Sequence, residues 1–334
     1  MRVLVILDPL PQIKTYKDTT YAMMVGAASR GHEIFVCEQH QLSYSNGRAM
    51  VVATPLTITD ATGSGAPWYV TGTAVREPIA AFDAVLMRKD PPFDMEYVYS
   101  TYLLEQAVRE GGRVFNDPRA IRDHNEKLSV AEFPEFAAPT LVTRSADELR
   151  AFVDEHDEAV FKLLDGMGGT SIFRAKHGDP NLSVIIEALN LFGARTVMAQ
   201  RYIPQIAEGD KRVLLIGGEV VPFSLARIPK TGEFRGNLAA GGTGVARELS
   251  ARDREVGEAL APKLAERGLL LVGLDLIGDY VTEINVTSPT CFQEIRQQKG
   301  FDVARLFVDK LEEAVGRPAA GTTTGRPKAA QRTR

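Results

Sequence analysis

At 334 residues the chain has room for two or three subdomains rather than a single compact core. Its 44% apolar and 25% charged residues are ordinary for a globular enzyme, and a net charge of −4 gives no reason to expect binding to nucleic acid or an anionic membrane. Arg2 is followed by only five apolar residues before Asp8, too few for a signal peptide, and no apolar run approaches the roughly 18 residues of a membrane span.

Cys37 and Cys291 are too few and too far apart for a disulfide framework or a cysteine metal site, so a reducing cytoplasm is the expected compartment. Arg2 to Leu7 is a short apolar, β-branched run suited to a buried parallel strand. Asp18 is a candidate N-cap for a helix that Gly31 stops, and Glu33 to Cys37 reads as the next strand. Residues 45–80 are polar and contain glycine, consistent with short antiparallel strands. Ala84 to Met87 returns to the sheet, a helix follows from about Asp94 to Glu110, and Arg113 to Phe115 is another strand. This half is an α/β unit with a parallel sheet.

The pattern changes between Asn116 and Asn125, which sets domains at 1–123 and 124–316. Ser145 with Glu148 three residues on predicts a capping box on a helix to Glu155. Strands are expected at Ala159 to Leu163, Ser171 to Arg174 and Thr196 to Gln200, with a helix from Leu182 to Phe192. Lys211 to Ile216 and Val220 to Ala226 form a hairpin around Gly217-Gly218. A helix from Ala251 to Arg267, strands at Leu270 to Ile277 and Val281 to Val286, and a last helix from about Phe301 to Val315 complete an α+β half. Residues 317–334 carry five basic residues, no acid and no periodicity, and read as a disordered tail.

Four features carry chemistry. The stretch from Asp165 to Ser171 holds Gly166, Gly168 and Gly169 between two strands, letting backbone N–H groups turn towards one anion. It is neither a Walker A loop nor a G-x-G-x-x-G turn, and a flexible hairpin tip is its plain alternative. Lys162 sits in an otherwise apolar strand leading into that loop, where a buried anion is a natural partner; Lys127 is a second cation or else a solvated helix residue. Asp275, Glu283 and Asn285 are hard oxygen donors on neighbouring strands, suited to Mg²⁺ against nucleotide phosphates. Sharing a face requires Asp275 to oppose Glu283, and that needs an odd-length connection or a bulge, because a two-residue Gly278-Asp279 turn alone opposes Asp275 to Thr282. Finally, Ala226 to Gly244 is a long glycine-rich segment with Arg227 and Arg235, able to engage phosphate or carboxylate, or else disordered.

In their order, these pieces resemble ATP-grasp ligases, and several phrases resemble bacterial glutathione synthetases in particular. They are Leu86 to Asp94, Asn125 to Leu128, Asp165 to Gly169, Gly209 to Val213, Arg235 to Gly242 and Val272 to Thr290. The likeness runs from Asp8-Pro9 to about Val315; Leu164 departs from it, standing where the family usually has proline.

The resemblance implies an N-terminal α/β substrate domain followed by a two-subdomain ATP-grasp fold, with a hinge near 200–203 and a flap near 228–243. It implies Lys127 and Lys162 on the ATP phosphates, with Gly166, Met167, Gly168 and Gly169 closing over them. Gln200, Arg201, Tyr202 and Ile203 are then the hinge that reads adenine, and Asp210 lies near the ribose. Mg²⁺, or Mn²⁺ in its place, falls to Asp275, Glu283 and Asn285. Arg227 faces the transferred phosphoryl group and Arg235 belongs to the flap. Arg88, Asn237, Ser288, Pro289 and Thr290 seat the peptide. The implied reaction joins γ-glutamylcysteine to glycine through an acyl phosphate, yielding glutathione, ADP and phosphate, in a cytoplasmic homotetramer. Two alternatives are an ATP-grasp ligase for other substrates, such as D-alanine or amino-acid tails, and a nucleotide-sensing protein that has lost catalysis.

Overall fold

The computed structural model describes residues 1–62, 67–233, 235–236 and 241–316. Three sheets organise them. The first begins with β1 (Arg2–Ile6), α1 (Thr19–Ser29) and β2 (Glu33–Cys37), then β3 (Leu42–Ser45), β4 (Arg48–Ile58), β5 (Tyr69–Thr71) and β6 (Val75–Pro78). It continues through β7 (Ala84–Met87), α2 (Met95–Arg109), β8 (Val114–Phe115) and the short helix α3 (Pro118–Asp123). Its order is β3-β4-β2-β1-β7-β8, with β5 and β6 also on β4; β2, β1, β7 and β8 run parallel.

The uninterrupted apolar run of β1 has a physical reason. Alternate residues of a strand face opposite sides, and here both sides are covered. Val3, Val5 and Leu7 join the core under α1, while Leu4 and Ile6 join the core under α2. Asp18 caps α1 by accepting from Tyr21 N, and Asp94 caps α2 in the same way through Tyr97 N.

The second sheet is antiparallel, in the order β11-β10-β12-β9. Its elements are β9 (Thr140–Thr143), α4 (Ala146–His156), β10 (Glu158–Leu163), β11 (Phe173–Lys176), α5 (Leu182–Asn190) and β12 (Val197–Arg201). Ala159 and Phe161 face α4 and α5, so period two turns Val160 and Lys162 to the other side. Ser145 caps α4 by accepting from Glu148 N, but the Glu148 carboxylate takes the Thr143 hydroxyl instead of completing the expected capping box.

The third sheet is antiparallel too, in the order β15-β14-β13-β16-β17. It comprises β13 (Asp210–Ile216), β14 (Glu219–Ile228), β15 (Thr243–Glu248), α6 (Ala251–Glu266), β16 (Leu271–Ile277) and β17 (Tyr280–Asn285). The Gly217-Gly218 hairpin forms as expected, with Ile216 paired to Glu219. A complete capping box between Ser250 and Asp253 starts α6.

α7 (Phe292–Lys299) and α8 (Val303–Gly316) end the described chain and return to the first sheet. One core cluster joins Val3, Tyr21 and Ile34 to Leu214, Phe292 and Phe307, tying the first and third sheets together. No helix among the described residues is long and apolar enough to cross a membrane.

Candidate functional site

Two clefts meet between the second and third sheets. The first, about 630 Å³ with its open mouth, has Lys162 and the Gln200–Ile203 strand end on one side, and Asp210, Gly236 and Glu283 on the other. The second, about 850 Å³, lies among Asp90, Met167, Gly168, Arg212, Arg227 and the Ser288–Thr290 turn. Glu283 lines both.

Lys162 is buried, and its Nζ donates to Gln200 Oε1 at 2.8 Å. Burial lowers its pKa, with nearby Glu283 acting in the opposite sense. Lys127, only 3% exposed at its side chain, bonds the Glu126 carboxylate and donates to Gly166 O at 2.5 Å. Burial works against its charge, but Glu283 and Glu126 outweigh that and leave its pKa raised. The Lys127 and Lys162 ammonium groups stand 3.7 and 4.0 Å from Glu283 Oε1. Two cations thus converge beside a loop whose Gly168 and Gly169 adopt φ of +62° and +82°, conformations that suit glycine. Arg235 Nη1 reaches that loop at Gly169 O, 3.1 Å away.

At the strand end, Arg201 Nη2 donates to Tyr280 Oη at 3.1 Å, and the Arg174 guanidinium lies 3.6 Å from the Tyr202 ring centre. Asp210 receives Arg227 Nη2 on Oδ2 at 2.5 Å, while its buried Oδ1 has no partner among the described residues. Burial pushes its carboxyl up to about 6; Arg227 opposes this, while Asp275 and Glu283 reinforce it. Asp210 lines the first cleft, and an unpartnered acceptor oxygen on such a residue is what a sugar hydroxyl could use.

The oxygen donors share a face, as the register argument required. Gly278-Asp279 is a two-residue turn with Ile277 paired to Tyr280, and a register shift after Asp275 restores the pairing of Asp275 with Glu283. Among the described residues, the Glu283 carboxylate has only the two long ion pairs to the lysines. Asn285 spends Nδ2 on Gly273 O and Asp275 Oδ2, both at 3.2 Å, which leaves its Oδ1 for a ligand. Hard oxygens of this kind, completed by phosphate and water, fit Mg²⁺. Asp275 differs, for both its oxygens are held by arginines: Arg212 Nε and Nη2 at 2.7 Å each, and Arg227 Nη2 at 2.9 Å. Those guanidiniums hold its carboxyl well below the usual carboxylate range despite burial.

Ser288 Oγ donates to Asp90 Oδ1 at 2.6 Å, and Pro289 and Thr290 line the second cleft beside it. Arg88 lies behind this turn rather than in the cleft. Its buried guanidinium donates to Thr20 Oγ1 at 3.2 Å, to Pro289 O at 3.0 Å and to Thr287 O at 3.5 Å. Burial pushes the Cys291 thiol up to about 11, so it is a thiol rather than a nucleophilic thiolate at neutral pH. Asn237 lies outside the described residues. Arg212 and Glu126 were not singled out from the sequence. Arg212 carried a usable signal, a charge inside the apolar strand DKRVLLI, of the same kind that picked out Lys162.

Two antiparallel sheets clasping a cleft of paired lysines, a glycine loop and hard oxygen donors, preceded by a parallel-sheet unit, define an ATP-grasp carboxylate–amine ligase. Solved structures share this fold. D-cycloserine synthetase DcsG matches with a TM-score of 0.63 at 17% identity, covering 94% of this chain and 99% of that one. The ATP-grasp ligase PsnB, complexed with precursor peptide PsnA2 and AMPPNP, matches with a TM-score of 0.61 at 19% identity, covering 94% and 98%. Residues 1–122 match the family described as prokaryotic glutathione synthetase, N-terminal domain, and residues 126–300 its ATP-grasp domain. A glutathione synthetase of Ralstonia nicotianae is 60% identical over 96% of this chain and 98% of its own. That of Nitrosomonas europaea is 55% identical over 95% and 99%. The chain belongs to the prokaryotic glutathione synthetase family.

Proposed function

We propose that the two clefts are the two halves of one ligase site, the first taking ATP and the second the dipeptide whose carboxylate is activated. The chain is an ATP-dependent ligase that joins γ-glutamylcysteine to glycine, giving glutathione, ADP and phosphate. The observation that supports the division of labour is Glu283, common to both clefts and near both lysines.

In this reading residues 1–123 are the substrate domain and 124–316 the ATP-grasp domain. Adenine meets the backbone of Gln200 to Ile203, and the ribose meets Asp210. Lys127 and Lys162 neutralise phosphate oxygens, while the backbone of Gly166 to Gly169 covers them. A dipeptide carboxylate oxygen attacks the γ-phosphorus as the bond to the ADP oxygen breaks, giving an acyl phosphate. Arg227 faces the transferred group. The glycine amine adds to the acyl carbon, loses a proton, and the tetrahedral intermediate expels phosphate. Positioning and charge neutralisation do this work without a side-chain nucleophile. Glu283 and Asn285, with Asp275 once it is released from its arginines, would hold Mg²⁺, which would offset triphosphate charge. Arg235 and Asn237 belong to the flap that shields the acyl phosphate from water. Ser288, Pro289 and Thr290 seat the dipeptide, and Arg88 braces that turn through its carbonyls. The same reading makes the enzyme a cytoplasmic homotetramer; Cys37 and Cys291 are buried free thiols, the form a reducing compartment maintains.

Phosphate release with γ-glutamylcysteine plus glycine, set against other carboxylate and amine pairs, tests the assignment. Preference for a D-alanine pair would sink it, and ATP binding with no turnover for any pair would make the chain a nucleotide sensor.

Two further outcomes are expected. A methyl group at Gly236 would stand 2.3 Å from Arg227 O and 3.1 Å from Asp210 Cβ, so Gly236→Ala must push the flap base off β13 and β14. Displacing the flap by about 1 Å should cut kcat/KM about 100-fold, with extra ATP hydrolysed per peptide bond made; coupled turnover at the wild-type rate would argue against closure here. Second, burial pushes the Asp210 carboxyl up to about 6, and its ionised form is the stronger acceptor for a ribose hydroxyl, so affinity is greatest above that pH and weakens below it. Adenosine, which does not itself titrate in this range, should bind about fourfold more weakly at pH 5.5 than at pH 7.5. Asp210→Asn should flatten that profile; an unchanged profile in the variant would assign the titration elsewhere.

A further inference from the structure

Arg212 and Arg227 face two ways. Both line the second cleft, and both grip Asp275, which is 2% exposed. Arg212 stands directly opposite Asp275 across β13 and β16 and presents the paired fork of guanidinium on carboxylate. Arg227, bonded to Asp210 and Asp275 together, completes a receptor with two cations converging on one carboxylate. Asp275 therefore occupies a place built for a carboxylate, behind the two arginines that line a cleft whose ligand brings one. It is also the residue paired with Glu283, yet with both oxygens engaged it has little left to give a cation.

Resting on the dipeptide reading of the second cleft, we propose that Asp275 is the resting occupant of the Arg212–Arg227 fork and that the dipeptide's C-terminal carboxylate displaces it. The freed Asp275 then turns to the cation beside Glu283 and Asn285, so that dipeptide and divalent cation bind with mutual reinforcement. Charge balance favours the exchange. Arg212, Arg227, Asp210 and Asp275 sum to zero when no ligand is present. A carboxylate entering alone adds an unmatched negative charge to a largely buried group, and a cation alone adds unmatched positive charge. When both bind, the carboxylate removes half of the positive charge that the divalent cation alone would add, and a coupling between two bound ligands must be reciprocal.

The test uses the full-length protein saturated with ADP, so that no turnover occurs. Calorimetry measures γ-glutamylcysteine affinity with and without Mg²⁺, and electron paramagnetic resonance measures Mn²⁺ affinity with and without the dipeptide. In the wild type each ligand should tighten the other by about tenfold. In Asp275→Asn, dipeptide binding without the cation should be kept or strengthened, and the mutual effect should shrink to less than about twofold. Wild-type ligands that ignore each other would overturn the exchange without need of any variant. So would an Asn variant that keeps the full coupling, or one that is folded by near-ultraviolet circular dichroism but has lost the dipeptide, since Asp275 would then be a fixed brace. Should the wild type bind ADP but never the dipeptide, the substrate reading itself falls and takes this exchange with it; loss of coupling alone removes only the exchange.

Discussion

Glu283→Ala should lower kcat by about 10²- to 10³-fold at saturating Mg²⁺ and substrates while the fold survives, because it removes charge placed where the phosphoryl group moves. The side chain makes no hydrogen-bonded ion pair among the described residues. It is 19% exposed, and its ion pairs to Lys127 and Lys162 are 3.7 and 4.0 Å long. Its loss leaves no orphan, for Lys127 keeps Glu126 and Gly166 O, and Lys162 keeps Gln200. Both lysines are buried and lose a counter-charge, so stability should fall by more than the ~1 kcal/mol of an exposed pair, yet by less than the about 3–5 kcal/mol of a buried pair at hydrogen-bond distance, because these contacts are long. Steady-state rates together with a denaturant titration separate the two effects. Near-normal turnover would remove Glu283 from the site, and a large loss of stability would recast it as structural.

How much of this was legible depended on whether a residue conflicted with its surroundings. Lys162 stands out in an apolar strand, and the strand does turn it into the cleft beside Gln200. The register argument at Asp275 and Glu283 worked because period two is rigid. A two-residue turn gives the wrong pairing, so something had to slip, and the shift after Asp275 supplies it. Elements whose reason lies elsewhere in the chain were not legible. β15 follows a glycine-rich stretch and forms because β14 runs on to Ile228 and offers it an edge. α7 follows an N-cap residue, Cys291, with φ of +98° and has mostly polar residues, yet Phe292 and Ile295 anchor it in a core shared with the first sheet. β9 is four half-buried residues with no strong pattern, held by its pairing to β12. The resemblance implied that Arg88 helps to seat the peptide; only the fold reveals that its guanidinium bonds the Thr20 hydroxyl and the carbonyls behind the Ser288 turn. Asp275 was read as a metal ligand from its oxygen chemistry, its apolar flanks, the face it shares with Glu283 and the family resemblance; its resting hold on two guanidiniums was not legible, because sequence does not disclose that Arg212 lies across the sheet from it.

Arg212→Met should be the most destabilising single change at the site. Arg212 is 8% exposed and supplies two of the hydrogen bonds that keep a 2%-exposed carboxylate ionised. Removing it leaves Asp275 with Arg227 and Asn285 alone, and breaking a buried pair from one side costs about 3–5 kcal/mol. Asp275 can respond only by taking up a proton or drawing in water, so the loss should ease as the pH falls. The companion variant distinguishes charge imbalance from lost packing: Arg212→Met combined with Asp275→Leu removes both charges and should recover at least half of the lost stability. Ligase activity should stay below about 1% of wild type in both, because neither keeps the guanidinium fork for the substrate carboxylate. Denaturant midpoints for the wild type, the single variants and the double variant close the cycle. If the double variant is as unstable as the sum of its parts, Arg212 acts through packing rather than through the charge it holds in check, and the electrostatic account of this corner of the site fails.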